Sequence, residues 1–322
     1  MIGMVAACIA VAACSVAFAN GANANFKGVA SLFGSGTTRY GTAVAWSTLA
    51  TAAGCLAAAW TAHGLLAAFS GKGLVPDGLV ADPRFLLSVA SGAGLANLLA
   101  TVLGFPVSTT HLLVGGLLGA GLADQPSNVD FRRLWEAFVR PLLLAPVLAL
   151  AVGGILHRIL RRLGLAPDRR HRVLDVLHFL SAGAVCFSRG LNDAPKMAAL
   201  LVGVAGLGVR PSLLTVLVLM AAGGLLAARR VAETLAHGIT GMNPGEGLSA
   251  NLATAVLTTT ASLHGLPVST THVSVGALLG IGITTRQTRW KTAIPVLLAW
   301  VATLPCAALM SALFWWILQG TR

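Results

Sequence analysis

The sequence predicts an all-α polytopic membrane protein of about ten transmembrane segments, arranged as two inverted-topology repeats with broken helices. Three observations predict it. The chain is 56% hydrophobic and only 10% charged, with a mean hydropathy of +0.81, which exceeds a soluble domain and supplies runs long enough to cross a bilayer. The hexapeptide Pro-Val-Ser-Thr-Thr-His occurs twice, from Pro106 to His111 and from Pro267 to His272. The apolar runs fall into two sets of five, and these hexapeptides open the fourth run of each set.

The first set runs roughly over 1–35 (interrupted), 41–69, 84–104, 106–123 and 138–160; the second over 173–208 (interrupted), 211–228, 248–265, 267–285 and 292–318. Residues 1–19 end in Ala17-Phe18-Ala19, which resembles a signal-peptide cleavage site, but the basic n-region is missing. A matching run at 173–189 ends in a similar Gly-x-Asn, so residues 1–21 are expected to be a retained first helix. The expected organisation is therefore a first repeat at 1–162, an Arg-rich cytoplasmic linker at 163–172 and a second repeat at 173–322. Five spans per half force opposite orientations, the plan of many secondary transporters, and one half is expected to rock against the other. If both termini lie outside, the cytoplasmic segments hold twelve Lys and Arg, six of them between Arg158 and Arg172, against seven outside. That bias favours N-out and C-out. It also accounts for the net charge of +12 without nucleic acid.

Each hexapeptide reads as a helix start at the membrane midplane, because Pro suits the first turn and Ser and Thr are good caps. A helix start presents unpaired N–H groups and partial positive charge, and here hydroxyls surround it; that combination suits an oxyanion. The expected anion ligands are Ser108, Thr109, Thr110, Ser269, Thr270 and Thr271. A second constellation lies where the first run of each half is expected to break, at Asn20-Gly21-Ala22-Asn23-Ala24-Asn25-Phe26-Lys27 and at Arg189-Gly190-Leu191-Asn192-Asp193-Ala194-Pro195-Lys196. Ionisable groups at membrane depth are costly and so are candidates for function. Asn23, Asn25, Asn192, Lys27 and Lys196 are expected at the anion, and Asp193, Asn192 and Asn23 at a coupling ion. A structural pair of Asp193 with Arg189 or a lysine is the competing reading. Asp193 is the only acidic residue at either break, and beside it phosphate, which keeps a proton to donate, is expected to be preferred over sulfate.

Taken together, these residues resemble the inorganic phosphate transporter (PiT) family, whose members carry Gly-Ala-Asn-Asp in the first segment of each half and Pro-Val-Ser-Thr-Thr-His later in each. The matches are Gly21-Ala22-Asn23, Gly190-Leu191-Asn192-Asp193 and both hexapeptides, over nearly the whole chain. The resemblance implies a phosphate permease of the cell membrane, with alternating access and coupling to a proton or sodium; a sulfate or other oxyanion permease is the alternative. Three departures stand out: Ala24 replaces the first-half aspartate, Lys27 and Lys196 stand where the family is usually neutral, and Arg189 replaces a frequent histidine. An ammonium group opposes a sodium ion nearby, so proton coupling or a reduced sodium requirement is expected.

Other chemistries fit less well. Ser108 with His111, or Ser269 with His272, resembles a nucleophile and base, but no third group orients either pair and catalysis does not need the pair twice; the chain is not expected to be an enzyme. Carboxylates and cysteines are absent around the histidines, so no metal or other cofactor is expected, and helix packing is their simpler role. The five cysteines show no paired spacing. Runs such as Gly115–Gly119 and Gly276–Gly280 are read as small-residue packing that seats the hexapeptide helices. Glu233 and Glu246 are assigned to a cytoplasmic connection. Lipid is the expected surroundings, and a homodimer is left open.

Overall fold

The computed structural model describes residues 2–61, 63–166, 171–202, 207–238 and 242–320. Arg169 and Arg170 of the linker, and Arg322, lie outside them. The described residues hold ten long helices: α1 Ile2–Ala24, α2 Tyr40–Thr61, α3 Pro83–Val102, α4 Thr109–Asp124, α5 Phe131–Arg162, α6 Arg172–Val202, α7 Val209–Ala227, α8 Pro244–Leu263, α9 Thr270–Thr285 and α10 Trp290–Gln319. Helix α5 includes a π-helical turn at Trp135–Val139.

Seven of these are long and apolar enough to cross a membrane: α1, α2, α3, α5, α6, α7 and α10. The other three differ for physical reasons. Helices α4 and α9 have 16 residues each, about 24 Å at 1.5 Å per residue against a hydrocarbon core of about 30 Å. Helix α8 is rich in Ser and Thr, and it buries Ser249, Asn251, Thr254, Thr258 and Ser262 against protein. Its exposed apolar side chains are few, such as Val256, whereas the seven apolar helices project many, as at Val147, Val218 and Val301.

Two helical hairpins carry the hexapeptides. In the first, α3 ends at Val102, Gly104 turns with φ 79°, residues 105–108 are extended, and α4 begins at Thr109. In the second, α8 ends at Leu263, Gly265 turns with φ 67°, residues 266–269 are extended, and α9 begins at Thr270. A positive φ at this turn is where glycine costs least. Ser108 (φ −96°, ψ 111°) and Ser269 (φ −94°, ψ 112°) cap their helices by accepting the N–H of His111 and His272.

The sequence halves are interleaved. Helix α1 packs on α3 of its own half and on α7 of the other, while α6 packs on α8 of its own half and on α2 of the other. The hexapeptide helices likewise cross over, α4 against α10 and α9 against α5. Their glycines permit it: a Cβ at Gly119 would overlap the carbonyl of Ala308, and one at Gly280 that of Leu150. The glycine runs therefore do seat these helices, each against the last long helix of the opposite half.

Two expectations are corrected. Helix α6 runs unbroken from Arg172 to Val202, through Gly190 and Pro195, because Gly190 is needed for close approach and not for a break: a Cβ there would meet the Thr51 carbonyl of α2. Gly21 is likewise inside α1, against the Met220 carbonyl of α7. Among the described residues the interruption lies in the first half, at residues 25–29, before a short helix Ala30–Gly34. The second correction is Glu246. It is buried at the third position of α8, where it and Asn243 form a reciprocal capping box at 2.9 Å each way. Its carboxylate satisfies a backbone N–H of the helix start and belongs to no loop. Glu233 pairs with Arg229 at 3.2 Å on the surface.

Candidate functional site

The two extended segments, 105–108 and 266–269, meet in the interior between α1 and α6. Their contacts are reciprocal. Thr110 Oγ1 donates to the Val268 carbonyl at 3.0 Å, and Thr271 Oγ1 donates to the Val107 carbonyl at 2.7 Å. Each hexapeptide thus holds the extended backbone of the other. Val107 and Val268 lie outside the helices, so their carbonyls are free of the helical ladder.

The asparagines of the Gly-x-Asn motifs hold these segments from the side. Asn23 accepts the Val107 N–H at 3.0 Å and donates to the Phe105 carbonyl at 2.9 Å and to Thr101 Oγ1 at 3.0 Å. Asn192 donates to the Val268 carbonyl at 3.2 Å and accepts from Ser262 at 3.2 Å. The two lysines repeat the correspondence. Lys27 Nζ donates to the Val107 carbonyl at 3.0 Å and to Thr271 Oγ1, and Lys196 Nζ donates to the Val268 carbonyl and to Thr110 Oγ1, both at 2.8 Å. Both lysines are buried, Lys27 at 4% and Lys196 at 0% exposure.

The correspondence fails where Arg189 stands opposite Asn20 and Asp193 opposite Ala24. Asp193 stands one residue after Asn192, where the first half has Ala24. Its Oδ1 accepts from Asn192 at 3.0 Å and from Lys196 at 3.3 Å, and its Oδ2 from Asn20 at 3.3 Å and from Thr270 at 3.4 Å. Arg189 Nε lies 3.7 Å from Oδ2. The structural pairing weighed from sequence is therefore present with both cations. Arg189 also donates to Asn20 Oδ1 at 2.6 Å, Thr51 at 3.2 Å and Asn25 at 3.3 Å, which ties α6 to α1 and α2.

Ser108, Thr109, Thr110, Ser269, Thr270, Thr271, Asn23, Asn192, Asp193, Lys27 and Lys196 are thus gathered into one buried cluster. Asn25 is not: its amide donates to Thr48 at 2.9 Å and its oxygen faces Arg189, away from the helix starts. Sequence reasoning missed Asn20, which reaches Thr109 Oγ1 at 2.8 Å, and the pair Thr101 and Ser262. That pair had a signal, since each lies five residues before the proline of its hexapeptide. His111 lies at the edge of the cluster, its Nδ1 2.9 Å from Ser108 Oγ, and its ring meets that of His272 with centroids 4.4 Å apart, His272 stacking on Trp300 at 3.9 Å. Among the described residues no group of three or more His, Cys, Asp and Glu is placed to hold a metal ion.

The balance of charge defines what the cluster can hold. Lys27, Lys196 and Arg189 are buried with one carboxylate, Asp193, so three basic side chains share one acidic partner, a formal excess of two. Uncompensated charge in a low-dielectric interior is costly. The first-turn N–H groups of Thr109, Thr110, Thr270 and Thr271 add partial positive charge and donors that the helix itself leaves unpaired. A compact anion with several acceptor oxygens satisfies both demands.

Comparison with known proteins agrees with this chemistry. The model of the phosphate transporter family matches residues 20–173 and 165–311. A protein of Rhizobium meliloti (strain 1021) named probable low-affinity inorganic phosphate transporter is 33% identical, over 76% of this chain and 76% of its own. One of the same name from Mycobacterium bovis (strain ATCC BAA-935 / AF2122/97) is 30% identical over 94% of this chain and 75% of its own. A solved structure titled "The sodium-dependent phosphate transporter" superposes with a TM-score of 0.87 at 21% identity, covering 99% of this chain and all of that one. At that identity the likeness is one of fold.

Proposed function

The chain belongs to the phosphate transporter family, and from that premise we propose that it is a secondary active transporter carrying inorganic phosphate across the cell membrane by alternating access, coupled to a cation. The observation that carries the reading is the burial of three basic side chains with a single carboxylate at two opposed helix starts, a formal excess of two positive charges. A doubly charged phosphate neutralises that excess, and its oxygens accept from backbone N–H groups and hydroxyls.

The anion lies between the starts of α4 and α9. Thr109 is its best-placed hydroxyl, because Thr109 Oγ1 accepts from Asn20 and keeps its own proton to donate. Ser108 and Ser269 act through the caps they form, Thr110 and Thr271 by holding the extended segments, and Thr270 beside Asp193. Asn23 and Asn192 fix the backbone on either side, and Asn25 acts through Arg189. Lys27 and Lys196 supply charge. Asp193, with Asn192 and Asn23, sets how much of that charge remains.

The topology we propose is two inverted repeats with both termini outside, on the charge bias of the loops and the matched hairpins. The moving unit is not a sequence half, since each half packs its helices against those of the other. In proteoliposomes containing the purified protein, uptake of labelled phosphate should saturate and show counterflow, and sulfate in excess should compete poorly. Absence of phosphate uptake, or preference for sulfate, overturns the assignment.

A further inference from the structure

Resting on that reading of the cluster, we propose that Lys27 and Lys196 are tethered cations: each ammonium group occupies an oxygen-lined position that would otherwise take a free sodium ion, so the protein loads its anion with no sodium bound at either position. The geometry is that of a cation site and not of an anion clamp. Lys196 Nζ is surrounded by oxygens of three kinds, the Val268 carbonyl and Thr110 hydroxyl at 2.8 Å and the Asp193 carboxylate at 3.3 Å. Lys27 Nζ has the matching carbonyl of Val107 and hydroxyl of Thr271. Carbonyl, hydroxyl and carboxylate oxygens are the donor set of a hard cation. The Val107 and Val268 carbonyls come from extended backbone and each accepts from both a lysine and a threonine, so they converge as cation ligands do.

Both lysines are buried in these positions, with Phe69 over the Lys196 ammonium at 5.7 Å. They act on the anion through charge, from behind the extended segments. A free sodium ion added at the same place would meet an ammonium group in a dry interior, where like charges repel strongly. Ala24 completes the argument. The first-half position has lost the carboxylate that its counterpart Asp193 supplies, and a tethered ammonium, unlike a metal ion, is held covalently and needs no carboxylate to retain it.

The test uses sodium itself as probe. In detergent without phosphate, the wild-type protein should melt at the same temperature in sodium chloride and in choline chloride, whereas Lys196→Ala, which vacates a position keeping the Asp193, Thr110 and Val268 oxygens, should gain a sodium-dependent rise in Tm. In proteoliposomes, wild-type phosphate uptake should be unchanged when choline replaces sodium, and uptake by Lys196→Ala should fall to background in choline and recover in sodium. Lys27→Ala combined with Ala24→Asp should behave in the same way and serves if Lys196→Ala does not fold. Sodium-dependent melting of the wild type, strict sodium dependence of its uptake, or lysine variants indifferent to sodium would overturn the inference. Absence of phosphate transport by the wild type in every medium, with the sodium-dependent melting of Lys196→Ala intact, would instead sink the phosphate reading and leave the tethered cations standing.

Discussion

At the scale of single residues, the threonines that open the two hexapeptide helices divide the work. Thr110 and Thr271 are spent on the Val268 and Val107 carbonyls, whereas Thr109 only accepts, from Asn20. Thr109→Ala should therefore raise the half-saturating phosphate concentration about tenfold to a hundredfold, the loss of a hydrogen bond to a charged group of about 1.5–3 kcal/mol; kinetics of uptake in proteoliposomes measure it. Asp193 behaves differently from its sequence expectation. Four hydrogen-bond donors and the Arg189 guanidinium already surround its two oxygens, so no lone pair is kept for a proton on phosphate. Asp193→Asn should keep the wild-type preference for phosphate over sulfate. It should also lower stability, because removing one partner of a buried ion pair costs about 3–5 kcal/mol; competition uptake and the melting temperature read the two effects separately.

At the scale of elements, the hexapeptide helix starts were legible through Ser108 and Ser269, which cap their helices by local rules, whereas Pro106 and Pro267, expected in the first turn, lie in the extended segments before the caps. The capping box of α8 obeys the same rules, in Asn243-Pro244-Gly245-Glu246, yet was obscured by the polar stretch before it. The continuity of α6 was not legible. Gly190 and Pro195 are helix breakers by propensity, but Gly190 lies against the backbone of α2, and that packing is invisible from one segment read alone. The same close approach makes a prediction. Gly119→Leu and Gly280→Leu place side chains into the Ala308 and Leu150 carbonyls of neighbouring helices; overpacking costs about 1–3 kcal/mol even where atoms can shift, and here backbone opposes. Both variants should fail to give a monodisperse peak in detergent size-exclusion chromatography. Gly41→Leu, at a glycine with nothing within 4 Å, should elute as wild type.

At the scale of the molecule, the spacing of motifs made the two matched hairpins legible, but not the interleaving of the helices around them, since sequence order says nothing of which helices cross over. Each hairpin turn is held by a segment of the other half: the Val102 and Gly104 carbonyls accept from Arg230 at 2.7 Å and Thr234 at 2.9 Å, and Gly265 lies against Gly64, the Cβ position of each about 3 Å from the other's Cα. If the anion enters and leaves between the hairpins, at least one of these contacts must open in each cycle. A disulfide in Gly64→Cys with Gly265→Cys would lock this second contact, although a side chain at the left-handed Gly265 costs on the order of 1–2 kcal/mol. Oxidation of the double variant should arrest phosphate uptake while leaving phosphate-dependent thermal stabilisation, and reduction should restore transport. Uptake that continues at the wild-type rate with the bond formed would place the moving boundary elsewhere in the fold.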